Sequence, residues 1–172
     1  MKVFSIKNRL SKTEQLIAAE RPRLLQYACY RLGSMADAED AVQDTLASLH
    51  QRMQEEGFSI DNLSAYLYRS LSNRCISYQR ENRHLRLVPL DGQPDPLDAE
   101  SEDFEQEYRR ISQLLGEIPA EQAEVIRLRY YGDKTFREIA QILDEPVTTV
   151  KSRFVYGLDR IRRGMRALSD NV

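Results

Sequence analysis

Apolar residues recur at intervals of three and four along most of this chain, and short polar segments separate the recurring stretches. No stretch of useful length shows the two-residue alternation of a half-buried strand. The pattern therefore predicts an all-α fold. The expected helices lie at about residues 12–32, 37–53, 62–83, 102–115, 121–131, 136–143 and 146–168.

The strongest local pattern lies between residues 135 and 163. Four apolar residues share one face of a short helix: Phe136, Ile139, Ala140 and Leu143. The dipeptide Asp144-Glu145 follows, and Asp tolerates the left-handed backbone that a tight turn can require. Pro146 suits the first turn of a new helix, where no backbone donor is lost. These features together predict a helix-turn-helix.

The second helix of this pair has hydroxyl groups and cations on its polar faces. Its expected buried stripe is Val147, Val150, Phe154, Leu158 and Ile161. The residues on its other faces include Thr148, Thr149, Lys151, Ser152, Arg153, Val155 and Tyr156. From position 151 to 166 it holds six Lys or Arg residues against one acid. Hydroxyls and cations near a helix N-terminus can reach base edges and phosphates in a major groove, although a merely solvated amphipathic helix gives a similar pattern.

An acidic cluster marks the start of the helix at residues 37–53. The helix dipole explains acids in the first turn, but its effect fades by Asp40 and Asp44. These two carboxylates lie one turn apart beside Gln43 and repel each other mildly. A basic partner surface would relieve that repulsion. A divalent metal is the weaker alternative, because no His or Cys joins the cluster.

The helix at residues 62–83 mixes cations with aromatic rings. Its polar positions include Arg69, Asn73, Arg74 and Arg80, with Tyr68 and Tyr78 among them. This mixture suits a phosphate backbone with unstacked bases. For this helix alone, an ordinary amphipathic helix with tyrosines in its core and rim is the simpler interpretation.

The net charge of −2 is unevenly distributed. Residues 1–88 carry 13 basic and 10 acidic residues, residues 89–118 carry 2 and 9, and residues 119–172 carry 10 and 8. Two mildly basic segments thus flank an acidic one, and local patches matter more than the total for DNA binding. The segment 89–101 holds three prolines and a glycine among its acids, which predicts a flexible linker.

Several classes of protein are disfavoured by the composition. No uncharged run is long enough for a membrane-spanning helix or a signal peptide, so we expect a cytoplasmic protein without membrane insertion. Cys29 and Cys75 lack metal-ligand spacing, and we expect reduced, buried thiols. The sequence offers no catalytic residue, metal site or cofactor site. An enzyme such as a metal-dependent nuclease has little support, because no carboxylate pair has a matching base or ligand.

Three stretches resemble the extracytoplasmic-function (ECF) sigma factors, the small two-domain subunits that direct bacterial RNA polymerase to promoters. Residues 37–44 are similar to the polymerase-docking helix of region 2. Residues 65–80 resemble its promoter-melting helix. Residues 118–119 and 138–153 are similar to region 4. The resemblance covers roughly residues 12–166, and it implies a region 2 domain at 12–88, a linker at 89–101 and a region 4 domain at 102–168.

The resemblance implies specific roles for the residues in these stretches. Asp40, Gln43 and Asp44 would bind the clamp helices of the largest polymerase subunit, and the polymerase flap is a further expected contact. The loop near 54–62 would help Asn73 to capture an extruded base. The expected phosphate contacts at the −10 element are Arg69, Arg74 and Arg80. The residues expected at the −35 element are Thr149, Lys151, Ser152, Arg153, Val155 and Tyr156.

An anti-sigma factor is a plausible further partner by the same resemblance. The main alternative is a stand-alone helix-turn-helix regulator, with residues 1–88 as a dimerisation or sensor domain. That alternative gives no role to the acidic cluster at residues 40–44, and it predicts binding to duplex DNA without polymerase.

Overall fold

The computed structural model describes residues 2–55, 59–85 and 110–169. Its elements are α1 (Lys2–Leu32), α2 (Met35–Met53), α3 (Leu63–Leu85), α4 (110–116), α5 (Ala120–Tyr130), α6 (Phe136–Leu143) and α7 (Val147–Ser169). The described residues form no strand, and the predicted all-α fold is confirmed. The predicted linker at 89–101 lies outside the described residues. No helix of the described part has both the length and the apolar character needed to cross a membrane.

Helix α1 is longer than predicted, because it begins at Lys2 instead of near residue 12. Pro22 lies inside it and does not end it. A proline inside a helix removes one backbone donor and crowds the carbonyl four residues earlier, but the buried residues that follow, Leu24 and Tyr27, hold the second half of the helix against the core. The helix ends at Leu32, and Gly33 follows it with a φ of 76°, a left-handed conformation that favours glycine.

Helices α1, α2 and α3 pack against one another and bury the predicted apolar stripes. The side chain of Ser34 caps α2 by accepting a hydrogen bond from the Asp37 backbone N–H at 3.2 Å. The inward residues of α2 are Ala38, Ala41, Val42, Thr45 and Leu49. Asn62 caps α3 in the same way through the Ala65 N–H at 2.9 Å.

Both cysteines are free and buried, which confirms the prediction of reduced core thiols. Burial raises the pKa of Cys29, and burial raises the pKa of Cys75 to about 12. Reaction with an alkylating agent requires the thiolate. We therefore expect iodoacetamide to label neither cysteine at neutral pH in the folded protein and both after denaturation, as measured by mass spectrometry. Rapid labelling of either residue in the native protein would contradict this expectation.

Helices α4 to α7 form the second group, and α6 and α7 make the predicted helix-turn-helix. Thr135 and Glu138 form a reciprocal capping box at the start of α6. Asp144 ends α6 with φ 55° and ψ 47°, the left-handed conformation that was predicted for the turn. Pro146 lies one position before α7 instead of inside its first turn, and its carbonyl accepts the Val150 N–H at 3.1 Å.

Two details of this group depend on how α5 and α7 cross. A Cβ added to Gly157 would lie 2.9 Å from Ile126 Cδ1 and 3.2 Å from Gln122 Cβ, so a larger residue here would require these side chains to shift. Helical periodicity places Tyr130 on the core side of α5, but its side chain is 59% exposed. Its ring lies 6.1 Å from that of Phe154, so α7 covers it only in part.

The two groups of helices do not stand apart in this structure. Helix α3 packs on α6, and α1 packs on α5. One continuous cluster of buried side chains includes Leu24, Leu67 and Leu71 from the first group and Leu128 and Ile139 from the second. We call this junction the interdomain contact. The boundaries predicted at residues 88 and 102 lie in undescribed residues, and the division into two independent domains stays a prediction.

Candidate nucleic-acid interface

The acidic cluster lies on the open face of α2. Asp40 and Gln43 are exposed, and Asp44 is half-buried with its Oδ2 atom 3.6 Å from Arg74 Nε. The pKa of Tyr78 is raised by burial and by the carboxylates of Asp44 and Asp40. The carboxylates on this face of α2 therefore remain accessible to a basic surface.

A polar groove runs between α2 and α3, next to the acidic cluster. Its lining consists of Thr45, Ser48, Ser70, Asn73, Arg74 and Ser77. The structure thus brings together Asn73 and Arg74, two of the residues predicted to contact the −10 element. Arg80 is exposed two turns further along α3, on the same face as Asn73. Hydroxyl, amide and guanidinium groups of this kind can donate to a phosphate or a base edge.

Arg69 shares that face of α3, but its guanidinium is already engaged. Its Nε donates to the Ile142 carbonyl at 2.6 Å, and its Nη2 donates to the Gln141 carbonyl. Both carbonyls belong to the last turn of α6, where backbone acceptors lack partners within the helix. Arg69 was predicted as a phosphate contact, and in this structure its hydrogen-bonding edge faces protein.

Tyr68 agrees with the simpler of the two interpretations of α3, the one that places tyrosines in the core and rim. Its side chain has no exposed surface, so it is not available to stack on a base. Its ring meets Tyr27 edge-on with centroids 5.7 Å apart, and the Lys134 ammonium lies 4.7 Å from its centroid. Tyr68 therefore belongs to the core. The periodicity of α3 placed it near the rim, and only the packing of α1 and the α5–α6 turn over it accounts for its burial.

The −35 candidates lie on the outer faces of α7. Lys151 and Ser152 are exposed, and Val155 and Tyr156 have exposed fractions of 61% and 63%. Thr149 is half-buried. Val150, which has no exposed surface, anchors the opposite face of the helix. Exposed apolar and aromatic side chains next to cations are suited to thymine methyl groups and to the sugar-phosphate backbone.

Arg153 differs from its neighbours because Glu145 already pairs with it. Its Nη2 lies 3.0 Å from Glu145 Oε1, which ties α7 to the turn of the helix-turn-helix. This ion pair links Glu145 of the turn to Arg153 of α7. A phosphate near Arg153 would therefore meet a guanidinium whose direction is already set.

Sequence reasoning missed the charged residues of the interdomain contact. Lys134 is 1% exposed, and its Nζ lies 2.6 and 2.7 Å from the two carboxylate oxygens of Glu20. Glu124 accepts hydrogen bonds from Tyr27 and Arg31 of α1. These pairs join residues about a hundred positions apart, and nothing in the local pattern of either segment indicates them.

Comparisons with known proteins show which family this chain belongs to. A profile of Sigma-70 region 2 matches residues 16–85, and a profile of Sigma-70, region 4 matches residues 114–163. The ECF RNA polymerase sigma factor RpoE of Cereibacter sphaeroides is 31% identical over 136 residues, covering 77% of this chain and 75% of that protein. This chain belongs to the ECF RNA polymerase sigma factors. It is a DNA-binding transcription initiation factor that directs RNA polymerase.

Other relatives of this sigma factor cover most of its length. SigL of Mycobacterium tuberculosis, also an ECF RNA polymerase sigma factor, is 28% identical over 148 residues, or 84% of each chain. CnrH in complex with the cytosolic domain of CnrY shares the fold, with a TM-score of 0.66 at 24% identity over 90% of this chain and 88% of that chain. The sigma factor RpoE of Bartonella quintana, in complex with the anti-sigma factor NepR, gives a TM-score of 0.57 at 25% identity over 89% and 96%.

Proposed function

We propose that this sigma factor uses three separate surfaces in transcription initiation. Asp40, Gln43 and Asp44 bind the clamp helices of the polymerase. The residues of α3 that bind the −10 element are Arg69, Asn73, Arg74 and Arg80. Exposed residues of α7 read the −35 element. The observation that carries this proposal is the presence, on one chain, of an open acidic face on α2 and an open basic face on α7.

The −10 role is supported by the polar groove between α2 and α3. Taking a base out of the stack costs a few kcal/mol, so a site that captures it must supply compensating contacts. Asn73 has an amide that can pair with a base edge, and Arg74 and Arg80 carry positive charge for the backbone. Arg69 would add a bidentate phosphate contact once its edge is free.

The −35 role is assigned residue by residue along α7. Lys151 and Ser152 face outward within the first two turns, where a recognition helix meets base edges. Thr149, Val155 and Tyr156 flank them, and Arg153 contacts the phosphate backbone of the DNA. Lys151 supplies a mobile cation, whereas the hydroxyl of Ser152 currently donates to the Thr148 carbonyl at 3.0 Å.

The partners and the cellular place of action follow from the family. We assign it an anti-sigma factor as a regulatory partner, supported by the anti-sigma factor NepR bound to the related RpoE of Bartonella quintana. We place its action in the cytoplasm, where RNA polymerase works, and assign it no catalytic step of its own. A stand-alone repressor or activator is not favoured by the family assignment.

Run-off transcription with purified core polymerase tests the proposed function. The protein is expected to direct initiation from a subset of a promoter library, with no product when core polymerase is used alone. The same library without polymerase measures direct duplex binding. Failure to support any run-off product, or full regulatory activity without polymerase, would overturn the proposal.

Replacing Lys151 and Ser152 by alanine tests whether α7 recognises the −35 element. We expect Lys151→Ala with Ser152→Ala to lower run-off from the preferred promoter and to change the preference among −35 variants. A direct contact with a base is worth roughly 1–3 kcal/mol, which corresponds to about fivefold to more than a hundredfold in affinity.

The matched control for this pair is Arg163→Ala. Arg163 is an exposed cation on the same helix, about 18 Å further along the axis at 1.5 Å per residue. Its replacement is expected to leave the −35 preference unchanged. An unaltered ranking of −35 variants in the Lys151/Ser152 protein would exclude base reading by this part of α7.

A further inference from the structure

Glu145 is an acidic residue of the helix-turn-helix that has no role in the proposed recognition of the −35 element. It lies in the turn between α6 and α7, and its Oε1 atom accepts a hydrogen bond from Arg153 Nη2 at 3.0 Å. Both side chains are partly open to solvent, with exposed fractions of 33% and 26%. A carboxylate repels the phosphates of DNA, so an acid here lowers the affinity for DNA in general unless it improves the contact that Arg153 makes.

The backbone fixes the position of Glu145 from both sides. Asp144 before it has the left-handed conformation that ends α6, and the Glu145 N–H donates to the Ala140 carbonyl at 3.0 Å. Pro146 after it restricts Glu145 to extended backbone conformations. The carboxylate therefore starts from a well-defined point, and its hydrogen bond gives the Arg153 guanidinium a definite direction.

Arg153 keeps donors for DNA while it is paired. A guanidinium has five N–H groups, and Glu145 uses one of them, on Nη2. The remaining N–H groups can bind a phosphate without breaking the pair, but only a phosphate that lies in the direction in which they point. Lys151, two residues earlier, is exposed, so its ammonium on a flexible stem can follow phosphates at many positions.

This difference between the two cations matters because phosphates occur on every DNA sequence. Contacts to phosphates provide most non-specific affinity, and base contacts distinguish one site from another. A freely moving cation strengthens binding to every sequence. A cation held in one direction strengthens binding only when the helix lies in one register. On the −35 element, that register is the one that places Lys151 and Ser152 at the base edges.

We propose that Glu145 is a specificity-determining residue for −35 recognition, because it holds Arg153 in a direction that suits the −35 register and not other registers. The carboxylate lowers binding to DNA of unrelated sequence and leaves the phosphate contact at the −35 element intact. Opposing the wrong partners in this way raises specificity without any new attractive contact. Glu145 acts through Arg153 and needs no contact with DNA of its own. This inference rests on the proposed −35 role of α7.

Glu145→Gln tests this role, since glutamine has nearly the same shape and no charge. Holoenzyme assembled from core polymerase and the full chain transcribes the preferred promoter in a run-off assay, while promoterless duplex DNA is added as competitor. The variant is expected to lose half of its product at about fivefold less competitor than the parent, because the released Arg153 binds phosphates of any sequence. Equal sensitivity of the two proteins to the competitor would overturn the inference.

Salt dependence gives a second measurement, made on the full chain without polymerase. Binding to a duplex of unrelated sequence is followed by fluorescence anisotropy at several salt concentrations. Each phosphate contact adds about 0.9 to the slope of log affinity against log salt concentration, and Glu145→Gln is expected to add one contact. Thermal unfolding is expected to stay the same, because a partly exposed ion pair contributes little to stability. A change in thermal stability with an unchanged slope would show that the pair only stabilises the turn.

Asp144→Asn is the matched control, because it removes the same charge from the neighbouring turn residue. Asparagine tolerates the left-handed conformation at this position, where φ is 55°. Asp144 is exposed and its charge is screened by salt, so the control is expected to change competitor sensitivity by less than about twofold. Equal effects of Asp144→Asn and Glu145→Gln would mean that any acid near the DNA acts alike, and would overturn the role of the pair.

The double variant Glu145→Gln with Arg153→Gln shows whether Glu145 acts through its partner. In the Arg153→Gln background, Glu145→Gln is expected to have no further effect on competitor sensitivity. The same loss in both backgrounds would overturn the inference. If the parent chain initiates on no promoter, or shows no preference among −35 variants, the proposed function and this inference fail together. If the parent does both and Glu145→Gln matches it, only the specificity role of Glu145 fails.

Discussion

Replacing Tyr68 by alanine is expected to lower the free energy of unfolding by about 3–5 kcal/mol, the usual cost of removing a buried aromatic side chain. Tyr68 has no exposed surface, and its ring contacts Tyr27 and the Lys134 ammonium. A change of this size corresponds to a fall in melting temperature on the order of 10 °C for a chain of this length. Thermal unfolding followed by circular dichroism measures it.

Tyr68→Phe is the matched control, because it keeps the ring and removes only the hydroxyl. That hydroxyl lies 3.3 Å from the Gly132 carbonyl and 3.3 Å from Glu20 Oε2, so its loss is expected to cost about 1 kcal/mol. Had Tyr68 been a base-stacking residue, alanine would impair promoter melting and leave thermal stability unchanged. That outcome would contradict the placement of Tyr68 in the core.

Reversing the charge of Asp40 is expected to weaken binding to core polymerase by at least tenfold, while the fold stays intact. The side chain is exposed on α2 and makes no contact needed by the core, so arginine can be accommodated there. Exchanging an attractive charge for a repulsive one at an interface acts twice, because it removes one favourable pair and creates an unfavourable one. Titration of labelled protein with core polymerase measures the change.

Glu14→Arg is the control for Asp40→Arg, since it makes the same change of charge at an exposed position of α1. Asp40 is a better choice than Asp44 for this experiment. Asp44 pairs with Arg74, so its replacement would also release a residue assigned to the −10 element. Equal polymerase affinity for parent and Asp40→Arg would exclude the docking role of this face.

The elements of the fold could be read from the sequence because helical periodicity and capping are local. The turn at Asp144 and the buried face of α7 were both predicted from residues within one or two turns of each other. Errors arose where a distant element decides the environment. Tyr130 shows this, since periodicity gives its face of α5 but not how much of its side chain the neighbouring helix covers.

The candidate site shows the same division between local and distant information. The residue types on the outer faces of α2 and α7 are visible in the sequence, and the structure leaves them exposed. The engagement of Arg69 could not be foreseen, because its partners are backbone carbonyls, which every residue has. Likewise, Lys134 stands in a short polar turn that reads as solvent-exposed. Only its position over Tyr68 and beside Glu20 explains a buried cation.

The shared carboxylate of Glu124 has a consequence for how the protein is made. Its hydrogen-bond partners Tyr27 and Arg31 precede it by 97 and 93 positions. On the ribosome the first three helices therefore emerge well before the group that neutralises Arg31. Until then the nascent chain must keep that guanidinium hydrated, so the final dry packing of its N-terminal half waits for the C-terminal half to be synthesised.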